Sequence, residues 1–315
     1  MHRKGQVSTL RASGCKKAAS VFALLLTPGI ALASPSASPT SAGSSKWSIR
    51  CQPAKLVNGS PMIFRVMPPT QLTGLSGRWL GHELFFSFDP KSRSWYGIAG
   101  IGLETKPGLY PLQLTGATGR GKDVVFENKI AVKKATYPSI AITVAKQYTE
   151  PSAEQLKETA QDKTVKQNIF NQISPQRQWS GNFLPPVDAR ISDVFGTQRK
   201  FNGEVKGTHQ GLDFAVPAGT PVAALNSGKV VLARFMFFEG NCVVIDHGQG
   251  LMSLYLHFSE FKVREGDHVN RGQEIGLSGG TGRATGPHLH IAVRWQGVYL
   301  SPATLLSLQM PGPEQ

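Results

Sequence analysis

Apolar positions in this chain come in short runs with the spacing of strands. From Trp47 to about Ala145 the runs 63–66, 84–88 and 124–126 are separated by Gly, Pro, Asn and Asp turns. Tyr110, Leu112 and Leu114 alternate with Pro111, Gln113 and Thr115, the period of a half-buried strand. Roughly 100 residues of this kind predict a small immunoglobulin-like β-sandwich over 46–146. The pattern changes once. Ser152 with Gln155 three residues later forms a capping box, and a stretch rich in Glu, Gln, Lys and Ala follows to about Ile173, before Pro175. Its apolar positions (Leu156, Val165, Ile169, Phe170 and Ile173) are sparse. The helix is therefore expected to lie on a surface between two domains, within a linker spanning 147–180. After Trp179 the short runs return at 228–232, 243–245 and 251–256, among Gly and Pro turns. The expected fold class is mainly β, with a second β domain over 181–315.

The N-terminus changes the picture of where the protein works. Arg3, Lys4, Arg11, Lys16 and Lys17 form a basic segment without an acid, followed by an apolar stretch that ends in Ala31-Leu32-Ala33. That is the pattern of a signal peptide over 1–33, and it predicts export to the periplasm, the cell exterior or the cell wall. The apolar stretch is short for a membrane span and contains Pro28. Cys15 precedes the apolar stretch, which excludes a lipoprotein site. Residues 34–45, rich in Ser, Pro and Ala, read as a flexible tether.

Charge then narrows the partners. The formal net charge is +14, with 34 basic and 20 acidic residues; without the five basic residues of the signal it is +9. Such a protein suits anionic cell-wall polymers or lipid head groups. No nucleic-acid recognition module is present, so nucleic acid is not expected as a partner. Cys51 and Cys242 fall in different domains, and either a bridge between them or two buried thiols is compatible with an oxidising compartment.

The candidate chemistry lies in the second domain. His209 and Asp213 stand four apart, His257 closes Tyr255-Leu256-His257, and His288 and His290 flank Leu289. A strand would put His288 and His290 on one face with Leu289 in the core, and would place His257 on the face of Tyr255. Gly211 and the turn at 217–219 make the His209–Asp213 stretch a strand entering a turn rather than a helix. Two histidines and one aspartate match the three-ligand count of a catalytic zinc site with one open position. Spacing does not separate ligand from catalyst. His247 is expected in a turn, and His82 and His268 in solvated loops.

The same residues carry a family resemblance. Phe195-Gly196 and Arg199 precede His209-x-Gly211-x-Asp213-Phe214 and Gly219-Thr220-Pro221-Val222-x-Ala224. Asp246-His247-Gly248, Tyr255-x-His257 and Gly286-Pro287-His288-x-His290 follow. Over about 185–306 the chain resembles the lysostaphin-type (LytM-domain) zinc metallopeptidases of bacterial cell walls. The segment Lys106-Pro107-Gly108-Leu109-Tyr110 is similar to an accessory β-domain found with some of them. The resemblance implies an antiparallel β-sheet groove with one zinc per chain held by His209, Asp213 and His290. It also implies that His257 and His288 are catalytic histidines beside the metal. The implied activity is hydrolysis of peptidoglycan peptide cross-bridges by a monomer. The alternative is a non-catalytic LytM-like regulator that activates other wall hydrolases, and loss of a ligand would have favoured it. No HExxH glutamate is present, so acid–base work would fall to histidine. Every candidate site residue follows Trp179, so 181–315 is expected to fold and bind metal alone.

Overall fold

The structure, a computed structural model, describes residues 46–119, 121–141, 152–201 and 204–311. The expected signal segment at 1–33, the tether at 34–45 and the linker's first residues at 147–151 lie outside the described residues.

In the first half, two four-stranded antiparallel sheets form a sandwich. One has the spatial order Ser48–Gln52, Pro61–Met67, Ser94–Gly100 and Ser87–Asp89. The other has His82–Phe85, Gly74–Trp79, Gly108–Ala117 and Val124–Val132. Leu112 and Leu114 are fully buried while Gln113 is exposed, so the predicted alternation holds. Phe64 and Trp79 meet edge-on, ring centroids 5.5 Å apart, and the Trp79 indole N–H donates to the Gly100 carbonyl at 3.2 Å. The run at 84–88 is not one strand. It breaks at Phe86, where the chain passes from one sheet to the other.

The second half is built on an eight-stranded antiparallel sheet. Its order is Ile191–Asp193, Leu212–Phe214, Leu289–Trp295, Leu251–Phe258, Gly240–Asp246, Gly228–Met236 and His268–Val269, with Val298–Leu300 also paired to Leu289–Trp295. Pairing places Tyr255, Ile291, Leu212 and Val243 in register on one face, buried in a core continuous with that of the sandwich. The other face carries Val244, Leu254 and Ala292 in a second apolar cluster.

Several contacts join the halves. Gly100 leaves room for the Leu300 side chain, to which a Cβ there would approach within 2.7 Å. The Tyr137 hydroxyl donates to the Asn58 carbonyl at 2.6 Å while its ring meets Phe195 edge-on. The strand Ser139–Ala141 runs parallel to Gln198–Phe201, in a small sheet completed by Glu204–Thr208. His82 is not in a solvated loop: it opens a strand, and its ring lies 5.0 Å from that of Trp295.

Helix α1 spans Ala153–Phe170, and both bonds of the predicted capping box are present. Its placement differs from expectation. Val165, Ile169 and Phe170 pack against the second apolar cluster, Asp162 accepts from the Phe237 N–H at 2.8 Å, and Lys166 pairs with Glu239. The sparse apolar stripe thus covers one end of the eight-stranded sheet rather than bridging two domains. Cys51 and Cys242 are both free, so no bridge clamps the halves. Cys242 is fully buried, and burial pushes the Cys51 thiol up to about 11.

Candidate metal centre

The face of the large sheet that carries Leu254 and Ala292 is also the floor of a groove of about 530 Å³. Strand pairing builds its centre. Asp213 lies opposite His290, and His290 lies opposite Leu256, so these three side chains share that face. Leu289 is fully buried behind them, as the alternation of 288–290 predicts. His209 follows the strand Glu204–Thr208, and only 2% of its surface is exposed.

Three donor atoms converge here. His209 Nε2 is 3.1 Å from Asp213 Oδ1 and 3.1 Å from His290 Nδ1, and the last two are 2.7 Å apart. The edge of a tetrahedron with ~2.0–2.1 Å metal–ligand bonds is about 3.3 Å. Two imidazoles and a carboxylate therefore fit a small cation with one position left open. The His209 tautomer is set from behind: Nδ1 has the Val194 carbonyl at 2.9 Å, so it carries the proton and Nε2 presents a lone pair. Gly211 makes the crowding possible, since a Cβ there would lie 2.4 Å from the His290 ring and from the Ile291 carbonyl. Burial alone would raise the Asp213 carboxyl. The hydrogen bonds and charge of His209 and His290 outweigh it and hold the group well below the usual carboxylate range. Burial lowers His290, opposed by its bond to Asp213.

The two remaining histidines flank this cluster. His257 and His288 ring centroids are 4.8 Å apart, and His257 is 6.1 Å from His290. His257 does not share the face of Tyr255. Tyr255 is buried on the core side, where its oxygen accepts from the Leu225 N–H at 2.8 Å. The ladder shifts register between Asn241 and Val243, and His257 adopts φ 67°. This bulge turns His257 into the groove beside Leu256. A non-glycine residue in that left-handed region costs of order 1–3 kcal/mol and persists where its surroundings dictate it. Here the His257 N–H donates to the Glu239 carbonyl at 3.0 Å, and Nδ1 donates to the Thr281 carbonyl at 2.8 Å. Burial, then the neighbouring His288 and His290, push His257 down to about 3, so it is neutral. His288 Nδ1 likewise donates to the Gly286 carbonyl at 2.9 Å. Both rings therefore keep Nε2 as a free acceptor.

His247 and His268 stand apart from this cluster. His247 is wholly buried, bonded to the Ser227 carbonyl at 2.7 Å and the Ser253 hydroxyl at 2.8 Å, and His268 is exposed in a short edge strand. Sequence reasoning passed over Asp193 and the carbonyls of Val194, Thr281 and Gly286. A backbone oxygen leaves no residue-type signal, and Asp193 stands in no recognisable spacing.

Comparison with known proteins places this groove in a family. The model for peptidase family M23 matches residues 207–302. A crystal structure of a Pseudomonas aeruginosa protein described as an M23 peptidase superposes with a TM-score of 0.61. At 31% identity it covers 80% of this chain and 95% of that one. The chain belongs to peptidase family M23. As expected for an M23 metallopeptidase, its site offers metal donors. Curated relatives match over part of the chain. The peptidoglycan DD-endopeptidase ShyA of Vibrio cholerae is 50% identical over 108 residues, 33% of this chain and 25% of that protein. The DD-carboxypeptidase/endopeptidase Mpg of Neisseria meningitidis is 40% identical over 133 residues, 42% and 30% of the respective chains. The match thus spans less than a third of each of these two relatives.

Proposed function

We propose that this chain is a zinc endopeptidase that hydrolyses peptide cross-links of bacterial peptidoglycan after export from the cytoplasm. The observation that carries the reading is the convergence of His209, Asp213 and His290 at the groove floor, with His257 and His288 beside them. In this assignment the first three hold zinc, and the last two do the proton transfers. Bound zinc supplies a Lewis acid at the scissile carbonyl and brings the pKa of a bound water towards neutrality. His257 is fixed by Thr281 with Nε2 unprotonated, so that nitrogen accepts the proton of the attacking water. His288, nearer the solvent and fixed by Gly286, receives that proton at its free Nε2 from the neighbouring His257, faces the developing oxyanion as the imidazolium and hands the proton to the leaving amine.

Support for the substrate comes from the relatives named as DD-endopeptidases, which favours a DD-type cross-link over a glycine bridge. All five site positions hold the side chains catalysis needs, so the non-catalytic regulator is the weaker reading. Export is supported by the basic and apolar pattern of 1–33, and a charge of +9 on the remainder suits an anionic wall. The test is mass spectrometry of fragments released from purified peptidoglycans of both cross-link types, with and without a zinc chelator. Chelator-sensitive release from the DD-linked wall is expected. Release that survives complete metal removal would overturn the zinc reading.

A further inference from the structure

His209 contributes one nitrogen to the donor cluster, and the other side of its ring is not held by the Val194 carbonyl alone. Asp193 Oδ2 lies 3.2 Å from the same Nδ1. That carboxylate is itself fixed. Its Oδ1 accepts the Val194 N–H at 2.9 Å, and its Oδ2 accepts from Arg199 Nη2 at 3.2 Å. Asp193 is also the ladder partner of Asp213, so two carboxylates stand side by side on adjacent strands. Like charges opposed in this way repel. Arg199 answers the repulsion, because the same Nη2 lies 3.7 Å from Asp213 Oδ2.

We propose that Asp193 is a positioning residue for the metal ligand His209. Its carboxylate stands 3.2 Å from the Nδ1 that bonds the Val194 carbonyl, and by its charge it holds the ring plane towards Asp213 and His290 and makes Nε2 a stronger donor. Arg199 keeps Asp193 in place and lets it stand beside Asp213. A carboxylate behind a ligating imidazole typically changes metal affinity by about 10–100-fold. The inference rests on the reading of His209 as a zinc ligand.

The experiment uses the full exported chain, wild type beside Asp193→Asn and Asp193→Ala. Zinc Kd is measured by competition with a chromophoric chelator, and the Tm of each metal-free protein is measured in parallel. Asn keeps the shape and an acceptor but not the charge, so affinity should fall in the order wild type, Asp193→Asn, Asp193→Ala. The alanine variant should bind zinc at least about 10-fold more weakly, with the metal-free Tm close to wild type. Zinc affinities equal in all three proteins would overturn the proposal and leave the Val194 carbonyl as the sole anchor. A lower metal-free Tm with unchanged zinc affinity would also overturn it, because that is the signature of a purely structural aspartate. If the wild type itself fails to take up zinc, the metal-site reading falls together with this one; equal affinity in the variants removes only this one.

Discussion

Gly211→Ala should damage the metal centre without touching any of its donor atoms. A Cβ at 211 would lie 2.4 Å from His290 Cε1, from His290 Nε2 and from the Ile291 carbonyl oxygen. Ordinary contact begins near 3.4 Å, so each of these must yield by about 1 Å. None can do so freely. Ile291 is the ladder partner of Leu212, and the His290 ring is tied to Asp213 at 2.7 Å. Overpacking of this kind costs typically ~1–3 kcal/mol. A ring displaced by 1 Å costs roughly 100-fold in a rate that depends on placement. The expected result is a folded protein with a lowered Tm, weakened zinc binding and at least about 100-fold slower hydrolysis. Gly207→Ala is the control, because its Cβ would meet nothing within 4 Å. The assays are zinc titration, thermal unfolding and cleavage of a soluble cross-linked muropeptide. A Gly211→Ala protein with wild-type zinc affinity and rate would refute the argument that close approach at 211 places His290.

Ligand and catalyst should separate by metal analysis. His209→Ala or Asp213→Ala should lose both zinc and activity, whereas His257→Ala and His288→Ala should keep near-stoichiometric zinc and lose at least about 100-fold in rate. A zinc-free His288→Ala beside a zinc-loaded His290→Ala would reverse the assignment. His247 should impose a pH dependence on stability. Burial holds its imidazole at about 4, below an unfolded value near 6.5, so its contribution is complete above pH ~6.5 and is lost as pH falls towards 4. At ~1.4 kcal/mol per pH unit the loss is about 3 kcal/mol. Urea unfolding of the wild type and His247→Asn should therefore converge as pH falls from 7 to 4.5, and parallel curves would contradict this. A chain cut to begin at Gly181, expected from the sequence to fold alone, should instead be aggregation-prone. The cut removes α1 from Leu232, Met236 and Met252, together with buried Trp179. A soluble, cooperative fragment with the full-length Tm would show that this packing contributes little.

The residues most legible in the sequence were those whose side-chain type and strand period carried the information. His288, Leu289 and His290 alternate as a strand requires, and the Ser152–Gln155 capping box forms as written. What escaped was set by backbone geometry or by distant packing. The period-2 rule put His257 on the face of Tyr255, but a bulge with φ 67° rotates it into the groove, and nothing in Tyr-Leu-His marks the extra residue. The helix was recognised but its partner was not. Val165, Ile169 and Phe170 are too few to name the surface they cover, which is assembled from strands up to about 120 residues further along the chain. His82 read as solvated because Trp295, against which it packs, is remote in sequence. The odds of a Cys51–Cys242 bridge could not be judged without a distance, and both thiols are free.

The most direct test of the central claim is the fate of purified DD-cross-linked muropeptide dimers incubated with the zinc-loaded protein and followed by mass spectrometry. Dimers should convert to monomers with the gain of one water per bond cut, stop when the zinc is chelated, and resume when one equivalent is returned. A protein that carries one zinc per chain yet leaves both DD-linked and glycine-bridged dimers intact would contradict it.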